Sequence, residues 1–227
     1  MEPLIDDFDR DDLRSEARAL ATSFREGDCP DDRRFDRFLP HQMRQVSRQY
    51  WTPLVVAKRA AEWLDEAGIQ LVADIGSGAG KFCVATALFG RCRFIGVEQY
   101  PSLVASARAL ARLFEVDDRV DFVQGAFGTV PTPAADAYYF FNPFGDYWFG
   151  SDLALEAEAH WRSGRVYNDL VAAQRLLDEA PAATWVMTLN GFGGRMPRDY
   201  ELIRADGDLP APLRLWKKRA RRPRSHQ

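Results

Sequence analysis

Val72-Ala73-Asp74-Ile75-Gly76-Ser77-Gly78-Ala79-Gly80-Lys81-Phe82 passes from an apolar run, through three closely spaced glycines, into a second apolar run. The first run, Leu71–Ile75, has the length and composition of a buried strand. The second, Gly80–Phe89, is closed by Gly90 and has the length of a short helix. Glycine is needed where a backbone turns sharply or must lie against a ligand, because it has no Cβ. The helix begins at Ala79 or Gly80 and aims unpaired N–H groups at the turn. A ligand is therefore expected at the carboxyl end of the strand, as in open α/β sheets generally.

The next landmark is Phe94-Ile95-Gly96-Val97-Glu98, a second strand (Arg93–Val97) ending in an acid. Glu98 stands where a carboxylate can accept both hydroxyls of a ribose. A dinucleotide fingerprint reads G-x-G-x-x-G. Here the glycines are Gly76, Gly78 and Gly80, and Lys81 occupies the place of the third. A nicotinamide-dependent oxidoreductase would require that glycine.

The D-x-G-x-G-x-G form, with Asp74 two places before the first glycine, resembles motif I of the class I S-adenosylmethionine-dependent methyltransferases. That cofactor has no pyrophosphate to seat on a helix N-terminus, but it carries an ammonium and a sulfonium, which favour a nearby carboxylate. The resemblance covers roughly residues 50–205. It implies an α/β fold: a Rossmann-like, seven-stranded, doubly wound sheet with a C-terminal antiparallel hairpin. It also implies S-adenosyl-L-methionine as the cofactor. Gly76, Ser77, Gly78 and Gly80 would let backbone approach its methionine and ribose parts, Asp74 would attract its amino group, and Glu98 would hold the ribose. Gln99 and Tyr100 would lie along the adenine. After the third strand such enzymes usually show Gly-Asp, the Asp taking the adenine amino group. This chain has Gln124-Gly125-Ala126-Phe127, so Ala126 is a departure. The adenine would then be read by backbone groups or by Phe127 packing on its face, unless Phe127 is plain core. Thr52, before Pro53, matches a Thr-Pro element near the methionine carboxylate. It also reads as a helix N-cap with Pro53 at the first helical position, and the two roles are compatible.

The remaining elements follow by periodicity. Residues 1–50 read as an N-terminal helical extension, with helices over Asp12–Phe24 and Asp32–Gln49, the latter interrupted by Pro40. The extension either caps the cofactor pocket or only packs beside it. Residues 51–227 form the main domain. A helix runs from Pro53 to Ala67 and another starts at Pro101. Strands are expected at Val120–Gln124, Ala137–Phe141 and Ala183–Leu189. Helices are expected at 152–161 and from Tyr167 to Ala180. Tyr200–Ala205 and Leu213–Lys218 read as a hairpin.

The acceptor side is expected at Asn142-Pro143-Phe144, after the fourth strand. Methyltransferases acting on amino groups carry Asn/Asp-Pro-Pro-aromatic there. The Asn oxygen accepts from the target amine and the ring covers it. The chain has one Pro rather than two. The non-SET histone lysine methyltransferases place Asn-Asn-Phe at that point and share the Gly-Ser-Gly-x-Gly loop, and the chain resembles that branch as well. Protein lysine, a base amine and a small amine all remain open as acceptors. Asn142-Pro143 also reads as a simple strand terminator. Asn190-Gly191-Phe192-Gly193-Gly194 either lines the acceptor pocket or is a turn. Tyr147, Trp148 and Phe149 are candidate walls.

Composition sets the outer bounds. The chain has 227 residues, 46% hydrophobic and 28% charged, with a net charge of −3, so nothing global favours nucleic acid. Cys29, Cys83 and Cys92 form no pairable framework and suit a reducing compartment. Cys83 and Cys92 read as small hydrophobes. His41, His160 and His226 have no metal-ligand spacing. No apolar run of membrane-spanning length and no signal peptide is evident, so the expectation is a cytoplasmic protein without a membrane partner. The run Lys217–Arg224 reads as a solvated basic tail or as a contact for RNA or an acidic partner. The activity expected is methyl transfer to a nitrogen nucleophile, and the alternative is an inactive module that only binds the cofactor. An aminopropyl transferase would show paired acids after the fourth strand, where only Asp146 stands near.

Overall fold

The computed structural model describes residues 7–45, 47–141 and 163–220. Five apolar segments too short for helices pair in parallel: β1 (Leu71–Ile75), β2 (Arg93–Glu98), β3 (Val120–Gln124), β4 (Ala137–Phe141) and β5 (Trp185–Leu189). The final two strands, β6 (Tyr200–Asp206) and β7 (Leu213–Lys218), complete a seven-stranded sheet in the order β3-β2-β1-β4-β5-β7-β6. β7 runs antiparallel to both of its neighbours. The order reverses between β1 and β4, which opens a crevice above their carboxyl ends.

Alternation along each strand divides the core. Val72 of β1 and Tyr139 of β4 belong to one face, covered by α5 (Leu54–Glu66), α6 (Lys81–Phe89) and α7 (Pro101–Leu113). Ala73, Ile75, Tyr138 and Phe140 belong to the other, covered by α8 (Ser163–Glu179). α6 is buried on almost every side, as its uniformly apolar sequence requires.

The extension is built into that first face. α1 (Asp7–Arg25) sets Phe24 on Phe89 at 4.4 Å between ring centroids. Phe35 of α2 (Asp32–Asp36) stacks on Phe114 at 5.0 Å, just past the end of α7. The expected Asp32–Gln49 helix is three short pieces: α2, α3 (His41–Gln45) and α4 (Ser47–Tyr50). Pro40 supplies the break before α3, because its ring cannot follow a helical residue without a clash.

Several expectations change. Thr52 is not a helix cap. Pro53 occupies the N-cap position of α5, and the first helical N–H, at Leu54, donates to Asp32 Oδ1 at 3.0 Å, from far upstream. α6 begins at Lys81, with Gly80 as its N-cap at φ +80°. β5 begins at Trp185, because Ala183 takes φ +68°, a conformation foreign to a strand. The basic run is structural at its start. Lys218 is 4% exposed and donates to the carbonyls of Leu177 and Asp178, while Arg219 pairs with Glu201. β6 is an edge strand with Leu202 and Ile203 exposed, and its ladder slips between Leu202 and Arg204. The helix expected at 152–161, Asn142-Pro143-Phe144, Tyr147, Trp148 and Phe149 lie outside the described residues. No described helix is long and apolar enough to cross a membrane.

Candidate functional site

The glycine loop is held to the sheet by backbone bonds. The N–H groups of Gly76 and Ser77 both donate to Val97 O, at 2.9 and 3.1 Å. The Gly78 N–H donates to Glu98 Oε2 at 2.9 Å, and the Tyr100 N–H to Glu98 Oε1 at 2.9 Å. Glu98 therefore ties the loop after β1 to the end of β2. Gln99 is half-buried beside it, and Gly125 N donates to Glu98 O, bringing the end of β3 alongside.

A narrow cleft opens above β1 and β4, lined by Tyr50, Trp51, Thr52, Asp74, Gly76, Ser77, Lys81, Phe82, Tyr139 and Phe141. Asp74 and Tyr139 are direct partners across the β1–β4 ladder, so both side chains leave the same face. Asp74 is buried and accepts from Cys83 Sγ at 3.2 Å. Burial pushes its carboxyl up to about 7. The Cys83 bond opposes that rise and the charge of Glu98 adds to it. Cys83, desolvated beside Asp74, is held well above its ordinary value and remains a donor, so it is more than the packing residue expected. Tyr139 stacks on Phe82 at 3.6 Å and shares a 2.8 Å hydrogen bond with Thr52 Oγ1. Ser77 Oγ is buried without a hydrogen-bond partner among the described residues. An unsatisfied buried hydroxyl costs about 1–3 kcal/mol, which a ligand can relieve.

The expected cofactor residues thus fall into two connected groups. Thr52, Asp74, Gly76 and Ser77 line the cleft. Glu98, Gln99, Ala126 and Phe127 lie along the ends of β2 and β3, and the Gly78–Glu98 bond joins the groups. Two glycines make room for protein. A Cβ on Gly78, at φ +56°, would lie 2.1 Å from the Trp51 ring, and one on Gly80 would lie 2.7 Å from Phe122. Phe127 packs partly against the core of the α8 face. Phe192, from the loop after β5, is buried 5.5 Å from Phe140, so it is core rather than pocket wall.

Sequence reading missed Lys81. Its side chain is 2% exposed, and Nζ donates to Asp32 Oδ1 at 2.5 Å, Asp36 Oδ1 at 2.7 Å and Ser47 Oγ at 3.4 Å. The signal was available: a lone charge heading the apolar segment Lys81–Phe89 must find partners when buried. Trp51, whose Nε1 donates to Met43 O at 3.0 Å, had no comparable signal. Among the described residues no cluster suits a metal ion.

Comparison with solved structures places this geometry. An RNA methyltransferase from Salinibacter ruber in complex with S-adenosyl-L-homocysteine matches with a TM-score of 0.53 at 20% identity, covering 78% of this chain and 98% of that one. The O-methyltransferase from Bacillus cereus, in complex with the same molecule, matches with 0.56 at 10% identity, covering 90% and 100%. A putative O-methyltransferase from Klebsiella pneumoniae gives 0.55 at 13%, covering 92% and 100%. The chain has the Rossmann-like methyltransferase fold. At these identities the likeness is one of fold. No family model and no curated protein matches the sequence. In the methyltransferase fold described here, Asp74 and Glu98 stand at the carboxyl ends of adjacent strands on either side of the glycine loop.

Proposed function

We propose that the protein is an S-adenosylmethionine-dependent methyltransferase acting on a nitrogen nucleophile. The observation that carries the cofactor reading is the pair of buried carboxyl groups, Asp74 and Glu98, on adjacent strands beside the glycine loop, whose Gly78 N–H donates to Glu98. When bound, the cofactor would supply an electrophilic methyl group on a sulfonium, with the neutral thioether as its leaving group. The chain's part is alignment and exclusion of water. Asp74 would receive the ammonium and Glu98 the ribose hydroxyls. Thr52, held by Tyr139, lines the same cleft as Asp74, and Trp51, Phe82 and Tyr139 give it aromatic walls. The nitrogen acceptor rests on Asn142-Pro143-Phe144, directly after β4, where the Asn oxygen would accept from an amine and the ring would cover it.

The test is transfer of a labelled methyl group into a cell lysate fractionated by nuclease, protease and size, with Glu98→Ala and Asn142→Ala alongside. Acid-stable label on a nitrogen, absent with both variants, is the expected result. Label on oxygen would overturn the acceptor assignment, and failure of the wild type to bind S-adenosylhomocysteine would overturn the cofactor assignment.

A further inference from the structure

We infer that Lys81 is a positioning residue for the cofactor: through Asp32, Asp36 and Ser47 it clamps α2 and α4, and with them Trp51 and Thr52, as the wall over the amino-acid end of the cleft. The inference rests on the cofactor reading above.

Four observations converge. Lys81 is the first residue of α6, so its backbone continues the glycine loop. Asp32 Oδ1 receives both Lys81 Nζ and the Leu54 N–H, so the starts of α2, α5 and α6 meet at one carboxylate oxygen. Ser47 begins α4, which leads straight into Tyr50, Trp51 and Thr52, three consecutive residues of the cleft wall. The cleft sets the Asp74 carboxyl beside the hydroxyl-bearing residues Thr52 and Ser77. Such a lining would suit the ammonium-bearing end of the cofactor, and Glu98, tied to Gly78, would hold the nucleoside.

Stability alone is a poor reason for this cluster. Buried ion pairs are often matched by apolar residues of similar volume, and their best-attested role is to fix one arrangement of elements. The arrangement fixed here is the seating of Trp51 against Gly78 and of Thr52 against Tyr139.

The test compares two ligands that differ at one end: S-adenosylhomocysteine, and methylthioadenosine, which lacks the amino-acid group. Lys81→Met and Asp36→Asn are each expected to weaken S-adenosylhomocysteine about tenfold, mainly through faster dissociation, and to leave methylthioadenosine within about twofold. Equal losses for both ligands would reduce the cluster to a general structural role and overturn the inference, as would unchanged binding of both. Should Lys81→Met fail to fold, Asp36→Asn, which keeps the side chain's shape, carries the test. Absence of binding of either ligand to the wild type would instead overturn the cofactor reading itself.

Discussion

Asp74 shows how one residue can serve binding against stability. Its carboxyl titrates near 7 in the ligand-free protein because burial disfavours the charge. The unfolded chain ionises it near 3.8, so the cofactor-free protein loses stability as pH rises from about 4 to about 7, and the penalty is constant above that. A bound ammonium needs the ionised form. Affinity for S-adenosylmethionine should therefore fall about tenfold between pH 8 and pH 6, read by calorimetry, and the slope should vanish in Asp74→Asn. The same variant should melt a few degrees higher than wild type at pH 7.5 without ligand, because Asn still accepts from Cys83 and carries no charge. Asp74 was legible in the sequence because a carboxylate before a glycine loop has a chemical reason to be there. Its partner Cys83 was not: sulfur in an apolar helix reads as packing until the facing strand is known.

Between elements, the contacts that matter join segments distant in the chain, which is why sequence reading placed strands well and caps poorly. β1, β3, β4 and β7 lie where apolar runs put them, since an apolar run carries its own signal. The start of α5 does not, because the group that satisfies it belongs to Asp32 rather than to the adjacent Thr52. The end of α8 is finished in the same borrowed way. Lys218, from the far end of the sheet, donates to the carbonyls of Leu177 and Asp178 at 2.7 Å each. A cation there meets both the orphan carbonyls and the negative end of the helix. Lys218→Met should destabilise the protein by about 1–3 kcal/mol, seen as a lower urea midpoint at unchanged slope. A solvated tail, as the composition alone suggests, would give no change.

For the whole molecule, the extension and the sheet share one core. Phe24, Phe35 and Leu39 pack in the same buried cluster as α6 and α7, where the sequence alone offers a helical extension that either caps the cofactor pocket or packs beside it. Helical periodicity identifies an apolar face but not what it will cover. Removing residues 1–50 should uncover Phe89 and Phe114 and abolish cooperative thermal unfolding. A sharp transition retained in the truncated chain, by calorimetry, would show an independent main domain instead. At the opposite border of the sheet, β6 offers a backbone row unpaired among the described residues, with Leu202 and Ile203 in solvent. A straight apolar border of this kind is a template on which other chains can add. Here the ladder pairs Leu202 with Trp216 and then Arg204 with Leu215, so Ile203 is an extra residue that kinks the border, and Arg204 pairs with Glu66 of α5. The irregular residue thus acts as a guard on colloidal behaviour. Deleting Ile203 would straighten the last strand, and the expected result is a chain that folds yet assembles with rising concentration, visible by light scattering.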